Sequence, residues 1–548
     1  MLEFATARSG ETQGGRFNEA ALDALGIAGA DDLLPAGRVA IGFVDYGFDL
    51  MHPCLRSTAG DTSRFRFLWD QNRTPEAART VDLDVSTIED WDGEALDLAV
   101  GAAAKSGSRR ALDAIYDPHA NNCGRHGTTG AAHATLMASM AAGTAFAGFR
   151  SAAPHAALIG VQLALHDADW REEDARGRPT WTGAALPAEA PWGGWRAYDD
   201  APQIGNAIRY IYDRACKLGV DALVVNLSIG AWAGAHDGAS RTGQTIAALA
   251  AKAAAAWKAG TGPRTLVVAG AGNAGADEGH WTGQVTHAAA QTFDWIMQSN
   301  DPTQNKLEIW YDAEGPLDVE LVLPNGKALA LTPGGTHEIL IGASRIGIAD
   351  HMFEVRRRLS RTRILLHPPF IPAALFAGAT TSFSLRLRAA SEQSAVAHAW
   401  IERDDGAAER SWLSPSHPES SLCCLASSRG ALVIAGYDHH CQPEAGQPAI
   451  LPASSLGPLP WCAGPPARVP HLAAPATAIW GAKSKSRGFA QTTGTSAAVA
   501  LASGAIAYAL ARDPHATLPP YDLSAAWSSR FGFGQLNIDD TAAVGVPA

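Results

Sequence analysis

At 548 residues the chain is too long for one hydrophobic core, so more than one structural region is expected. Its 43 Lys and Arg against 55 Asp and Glu give a formal charge of −12, which argues against general nucleic-acid binding. The longest apolar stretch, residues 497–510, is too short for a membrane span and reads as a core helix, so no membrane association is expected.

Taken in chain order, residues 1–15 include Glu3, Arg8 and Glu11 and have no apolar centre, unlike a secretory signal. Residues 39–44, Val-Ala-Ile-Gly-Phe-Val, predict a buried parallel strand that ends in Asp45-Tyr46-Gly47, with Asp49 and His52 just beyond. A carboxylate at the carboxyl end of such a strand lies where open α/β sheets build their sites. Asp45 also fits a turn aspartate before a glycine. The acidic stretch 82–97 reads as a solvated surface; its spacing matches no calcium loop, and no metal site is expected. His133 heads a helix of small residues, as a cap or as a general base. Residues 166–200 carry Trp170, Trp181, Trp192 and Trp195 among prolines and glycines, a loop suited either to lining a peptide cleft or to simple packing.

Two more strands follow. Residues 221–230 end in Asn226-Leu227-Ser228-Ile229-Gly230, and residues 266–275 run through Ala269-Gly270-Ala271 to Gly272-Asn273. Asn273 suits a plain turn, where positive φ is tolerated, or a side-chain amide donor. Between Asn273 and Ser496, runs at 306–311, 318–323, 382–387 and 396–401 alternate or are β-rich, and turn signals such as Pro324-Asn325-Gly326 separate them. Such spacing predicts an antiparallel sandwich, placed at 281–425. Residues 431–436, Ala-Leu-Val-Ile-Ala-Gly, resume the parallel pattern. Finally, Gly494-Thr495-Ser496 precede the apolar helix. A hydroxyl there fits an N-cap, and it also lies where unpaired N–H groups favour a developing negative charge. The seven cysteines form an odd set without metal-site spacing, as expected in a reducing compartment.

Asp45, His133 and Ser496, taken together in that order, resemble the subtilisin-like serine proteases, the subtilase family. The serine motif reads GTSAAVALASG and the histidine motif HATLMASMAAG, with the Ala153-Pro154 strand following it as in the family. His126-Gly127-Thr128 is a competing histidine motif, but it lies too early for that strand and has no apolar helix behind it. The resemblance extends to Ser454-Ser455-Leu456-Gly457-Pro458 and to Gly532-Phe533-Gly534 near the end. Departures from the family pattern are Tyr46 after the aspartate, Ala134 after the histidine, Ala476 after Pro475, and Ala500 where the family has proline.

The resemblance implies an α/β subtilisin-like three-layer fold with a mostly parallel sheet, interrupted by the all-β insert, so that 1–280 and 426–548 form the two parts of one catalytic domain. It implies a serine endopeptidase in which Ser496 attacks a peptide carbonyl, His133 is the general base, Asp45 orients the imidazole and Asn273 serves the oxyanion. Ser228-Ile229-Gly230 and Ala269-Gly270-Ala271 would bind the substrate main chain, and no cofactor is implied. The stretch before Asp45 leaves no room for the folded propeptide of secreted members. A cytoplasmic setting is therefore expected, with activity restrained by narrow specificity or by a regulatory partner or oligomer contact through the insert. The same groups could instead serve a peptide ligase or macrocyclase, or the fold could be a non-catalytic binding scaffold.

Overall fold

The computed structural model describes residues 17–27, 37–74, 81–109, 112, 116, 133–164, 202–301, 305–356, 359–390, 392–402, 410–441, 449–461, 467–517 and 526–539. Residues 1–15, His126, and the tryptophans of 166–200 lie outside them.

Six strands open the fold: β1 (Val39–Asp45), β2 (Phe65–Asp70), β3 (Trp91–Asp92), β4 (Ala157–Gln162), β5 (Ala222–Leu227) and β6 (Arg264–Gly270). β1 lies at the centre, parallel to β4 on one side and to β5 on the other, and β6 runs parallel beyond β5. Every residue of β1 and β5 is buried, because helices cover both faces of the sheet. Side-chain alternation divides β1 between two cores. Val39, Ile41 and Phe43 pack on one face, and Ala40 and Val44 on the other.

Among the described residues the named α-helices are α1 (Glu19–Ala24), α2 (Gly93–Ser106), α3 (His133–Ala142), α4 (Pro202–Leu218), α5 (Arg241–Lys258) and α6 (Thr495–Arg512). α3 and α6 share the first face, and their small residues let the backbones touch. A methyl group added at Gly504 would stand 2.5 Å from the carbonyl oxygen of Ala141 and 2.6 Å from Ala152 Cβ. α6 is long and apolar enough to cross a membrane, but 78% of it is buried inside the fold, as a central core helix must be.

After β6 the chain leaves the parallel sheet, and its described residues there form eleven strands, β7 (His280–Thr286), β8 (Gln291–Gln298), β9 (Asn305–Asp312), β10 (Leu317–Val322), β11 (Ala328–Leu331), β12 (Thr336–Ile341), β13 (Ser344–Arg356), β14 (Leu359–Leu366), β15 (Thr380–Ala389), β16 (Ser394–Ile401) and β17 (Trp412–Ser414). They form two sheets, ordered β11-β10-β15-β8-β17 and β12-β13-β14-β9-β16-β7, with antiparallel pairing throughout. Phe293 and Leu385 from one sheet meet Ile309 and Ile364 from the other in a single core, the arrangement of a sandwich. β15 shows why the sequence folds this way: Thr381, Phe383, Leu385, Leu387 and Ala389 point inward at period two. Trp310, Leu359 and Trp400 belong instead to the second core of the α/β region, so the sandwich is packed onto it.

β18 (Ala431–Asp438) then returns beside β6, and β19 (Ala449–Ile450) and β20 (Leu472–Pro475) pair with β18, giving a nine-stranded sheet. β21 (Ile479–Ala482) and β22 (Phe489–Thr492) form a hairpin ahead of α6.

The acidic stretch is more than a solvated face. Asp82 pairs with Arg209 and Arg241, Asp90 with Arg214 and Asp97 with Arg66, while Asp92 caps α2 through Ala95 N at 2.9 Å.

Candidate active site

Asp45 ends β1 with a fully buried side chain, and His133 opens α3. They meet because the start of α3 docks on the turn after β1. Ala134 N donates to Tyr46 O at 2.7 Å and Thr135 N to Gly47 O at 3.2 Å, so the turn carbonyls occupy two of the helix's orphan donors. Thr135 Oγ1 adds a bond to Gly47 O and accepts one from Asp49 N. The result places His133 Nδ1 at 2.8 Å from both Oδ1 and Oδ2 of Asp45. Oδ1 also accepts from Tyr46 N at 2.7 Å. A carboxylate can only accept, so Nδ1 carries the proton and Nε2 of the neutral ring keeps its lone pair.

The neighbouring Asp49 and His52 serve the scaffold. Asp49 is fully buried in a two-pronged pair with Arg109 at 2.7 and 3.0 Å. His52 accepts from Cys54 N and stands 3.0 Å from Gly488 O. Burial pushes the His52 imidazole below its ordinary value.

Ser496 is the second residue of α6, and Gly494 is the N-cap. Neither Thr495 nor Ser496 is the cap, because Asn273 does part of that work from another loop. Its Oδ1 accepts from Thr495 N at 2.8 Å and from Thr495 Oγ1 at 3.0 Å. A backbone N–H only donates, so the atom it meets must be the amide oxygen, and Nδ2 is left to face the cleft. Gly494 sits at φ 149°, a conformation that favours glycine, and a methyl group there would press within 3.2 Å of the Asn273 amide. The Ser496 hydroxyl donates to Ser228 O at 2.9 Å and makes no hydrogen bond with His133. Ser228 Oγ in turn donates to Asn226 Oδ1 at 2.6 Å, and Asn226 Nδ2 to Ser503 Oγ at 3.0 Å, tying the end of β5 to α6.

Ser496 and Asn273 share one cleft. Ser228, Ile229 and Gly230 line one side, and Gly270 and Gly272 the other. The side chains of Ala269 and Ala271, on either side of Gly270, are buried in the second core. Ala271 contributes main chain only, its carbonyl accepting from Cys423 N at 2.8 Å. Sequence reading missed Trp232 and Cys423, which complete the lining. Trp232 lies two residues past the Asn-x-Ser-x-Gly motif on the same extended segment, a proximity that could have pointed to it. Burial raises the Cys423 thiol to about 11, so it is an inert wall at neutral pH.

Comparisons with known proteins bear on the family and the fold. The sequence profile of the Subtilase family, Peptidase_S8, matches residues 37–530. No curated protein matches the sequence. Among solved structures, the chain is similar to the Clostridium perfringens CspB protease, at 17% identity over 95% of this chain and 96% of that one with a TM-score of 0.66. Sphericase aligns at 13% identity over 94% of this chain and 97% of that one, with a TM-score of 0.41. The profile covers nearly the whole chain, and the α/β architecture with its parallel sheet accords with it: the protein belongs to the subtilase family of serine proteases.

Proposed function

We propose that the protein is a serine endopeptidase that works through Asp45, His133 and Ser496 on a restricted set of peptides or proteins, with residues 281–425 as an inserted domain. The observation that carries the reading is the Asp45–His133 contact, a fully buried carboxylate 2.8 Å from Nδ1. It fixes the tautomer in which Nε2 accepts a proton and stabilises the imidazolium formed when it does. A turn of the Ser496 side chain away from Ser228 O frees the hydroxyl for that base, as occurs in sites that tighten only around substrate.

In the proposed reaction Ser496 Oγ attacks the peptide carbonyl and its proton passes to His133, which returns it to the leaving amine. The acyl-enzyme is then released by water. The Asn273 Nδ2 donors and the Ser496 N–H at the start of α6 receive the oxyanion, because both are fixed before charge develops.

A fluorophosphonate probe tests this. Covalent labelling at Ser496, lost in Ser496→Ala together with peptide cleavage, is expected. Folded wild-type protein that takes no label rejects the mechanism and favours the scaffold reading. A labelled enzyme that yields ligated or cyclised peptide, read by product mass, is a transferase.

A further inference from the structure

We infer that the β-sandwich limits which substrates the cleft accepts: it holds the Trp232 indole between the cleft walls, leaving room beside the scissile carbonyl only for a glycine, alanine or serine side chain. This rests on the hydrolase reading above. A carbonyl placed between Ser496 and the Asn273 amide puts the side chain on its acyl side against the gap between Gly230 and Gly272, since these residues line one cleft.

That gap is filled. A methyl group added at Gly272 would stand 3.0 Å from Trp232 Cζ2 and 3.2 Å from Cys423 Cβ. One added at Gly230 would stand 3.5 Å from Cys423 Cβ and 3.7 Å from Trp232 Cη2. The benzo edge of Trp232 and the Cys423 side chain therefore take up the van der Waals space between the walls, and a leucine or phenylalanine has nowhere to go.

The plug is fixed from the sandwich side. Trp232 N donates to Glu402 Oε1 at 3.0 Å, Ala233 N to Glu402 Oε2 at 3.1 Å and Gly234 N to Glu308 Oε2 at 3.0 Å. Glu308 lies on β9 and Glu402 follows the last residue of β16, and both are buried. Three successive backbone donors thus meet two buried carboxylates, and charge-assisted bonds of this kind are stronger than neutral ones. Trp310 Nε1 supports Glu308 at 2.8 Å. At the far end of the indole, Trp232 Nε1 donates to Ser421 O at 3.0 Å. The segment after the sandwich also sets the wall spacing, since Cys423 N bonds Ala271 O and Cys424 N bonds Ala231 O. Trp232 is thereby a specificity-determining residue, and Glu402 and Glu308 are positioning residues that act through it.

Matched peptides with Gly, Ala, Leu or Phe on the acyl side of the cleaved bond provide the test, with fluorophosphonate labelling run in parallel. Wild type is expected to favour Ala over Phe by about 100-fold or more in kcat/KM, since apolar pockets discriminate on that scale when sterically filled. Trp232→Ala should raise kcat/KM for Phe at least about tenfold, and Trp232→Leu, which keeps an apolar filler if the alanine variant fails to fold, should admit Leu. Glu402→Gln keeps one acceptor and loses the other. It should narrow the Ala-to-Phe ratio about tenfold, chiefly through KM, whereas a purely structural role would depress kcat/KM for all peptides alike. A labelled wild type that cleaves after Phe as well as after Ala overturns the inference alone, as does a selectivity unmoved by the folded Trp232 and Glu402 variants. A wild type that neither labels nor cleaves overturns the hydrolase reading and this inference with it.

Discussion

The α/β region and the β-sandwich pack against each other, and they are built in opposite ways. The α/β region places every proposed reacting group at the end of a parallel strand or the start of a helix packed with small residues: Asp45 as the last residue of β1, Asn273 past β6, His133 and Ser496 at the first turns of α3 and α6. The sandwich is built from alternating strands around large aromatics such as Trp295 and Phe383. It supplies no proposed reacting atom, yet its Glu308 and Glu402 grip the wall of the cleft. On the proposed reading, chemistry and selectivity are lodged in different regions, and substitutions should separate them.

The sharpest separation is expected at Asp45. Asp45→Asn preserves size but holds the wrong imidazole tautomer, so kcat should fall about 10⁴-fold for every peptide while the Ala-to-Phe preference stays the same. Steady-state kinetics on the peptide series check this, and a shift in preference would break the division. Next in size, Asn273→Ala removes the proposed oxyanion donor and should lower kcat by roughly 10²–10³-fold, again without changing selectivity. It also removes the acceptor for Thr495, so thermal unfolding should show a small loss of stability in the same variant.

The smallest effect concerns the seam between the regions. His236 stacks on Trp400 with centroids 4.0 Å apart, and His280 Nε2 lies 3.0 Å from His398 Nδ1. Burial pushes His236 down to about 4 and His398 to about 3 from an ordinary 6.5, and holds His280 well below it. In the unfolded chain these rings take up protons near 6.5, so the unfolded state binds more protons below that pH and stability rises with pH. The unfolding midpoint should therefore fall as pH drops from about 6.5 towards 4, and His236→Gln should make that fall shallower. An acid slope unchanged in the variant would place the sensitivity elsewhere, for example at the half-buried His471, which desolvation also pushes down to about 4.

Much of the arrangement is legible in the sequence. Asp45 and Asn273 were marked by strand-then-turn patterns, His133 and Ser496 by the apolar helices behind them, and the sandwich by period-two alternation. The cap at α6 was not, because the group that satisfies Thr495 is a side chain 222 positions away. The grip on the cleft wall was hidden for the same reason, its partners being separated by 74 to 170 positions. Glu308 did leave a trace, as a charge inside a strand with six other buried residues around it. Such a residue breaks the apolar pattern and needs donors from somewhere, but one-dimensional pattern cannot say from where.

Helix α6 has one more consequence, for the order in which the proposed activity could arise during synthesis. It packs on β1, β5, β6, β18 and α3, so the central sheet lacks its main cover until residue 512 has been made. A ribosome-bound chain that has already released Asp45, His133, Asn273 and the sandwich still has neither the proposed nucleophile nor the helix that seats it. The proposed activity therefore waits on the synthesis of α6, and a chain that stops before it carries an uncovered sheet without the proposed nucleophile.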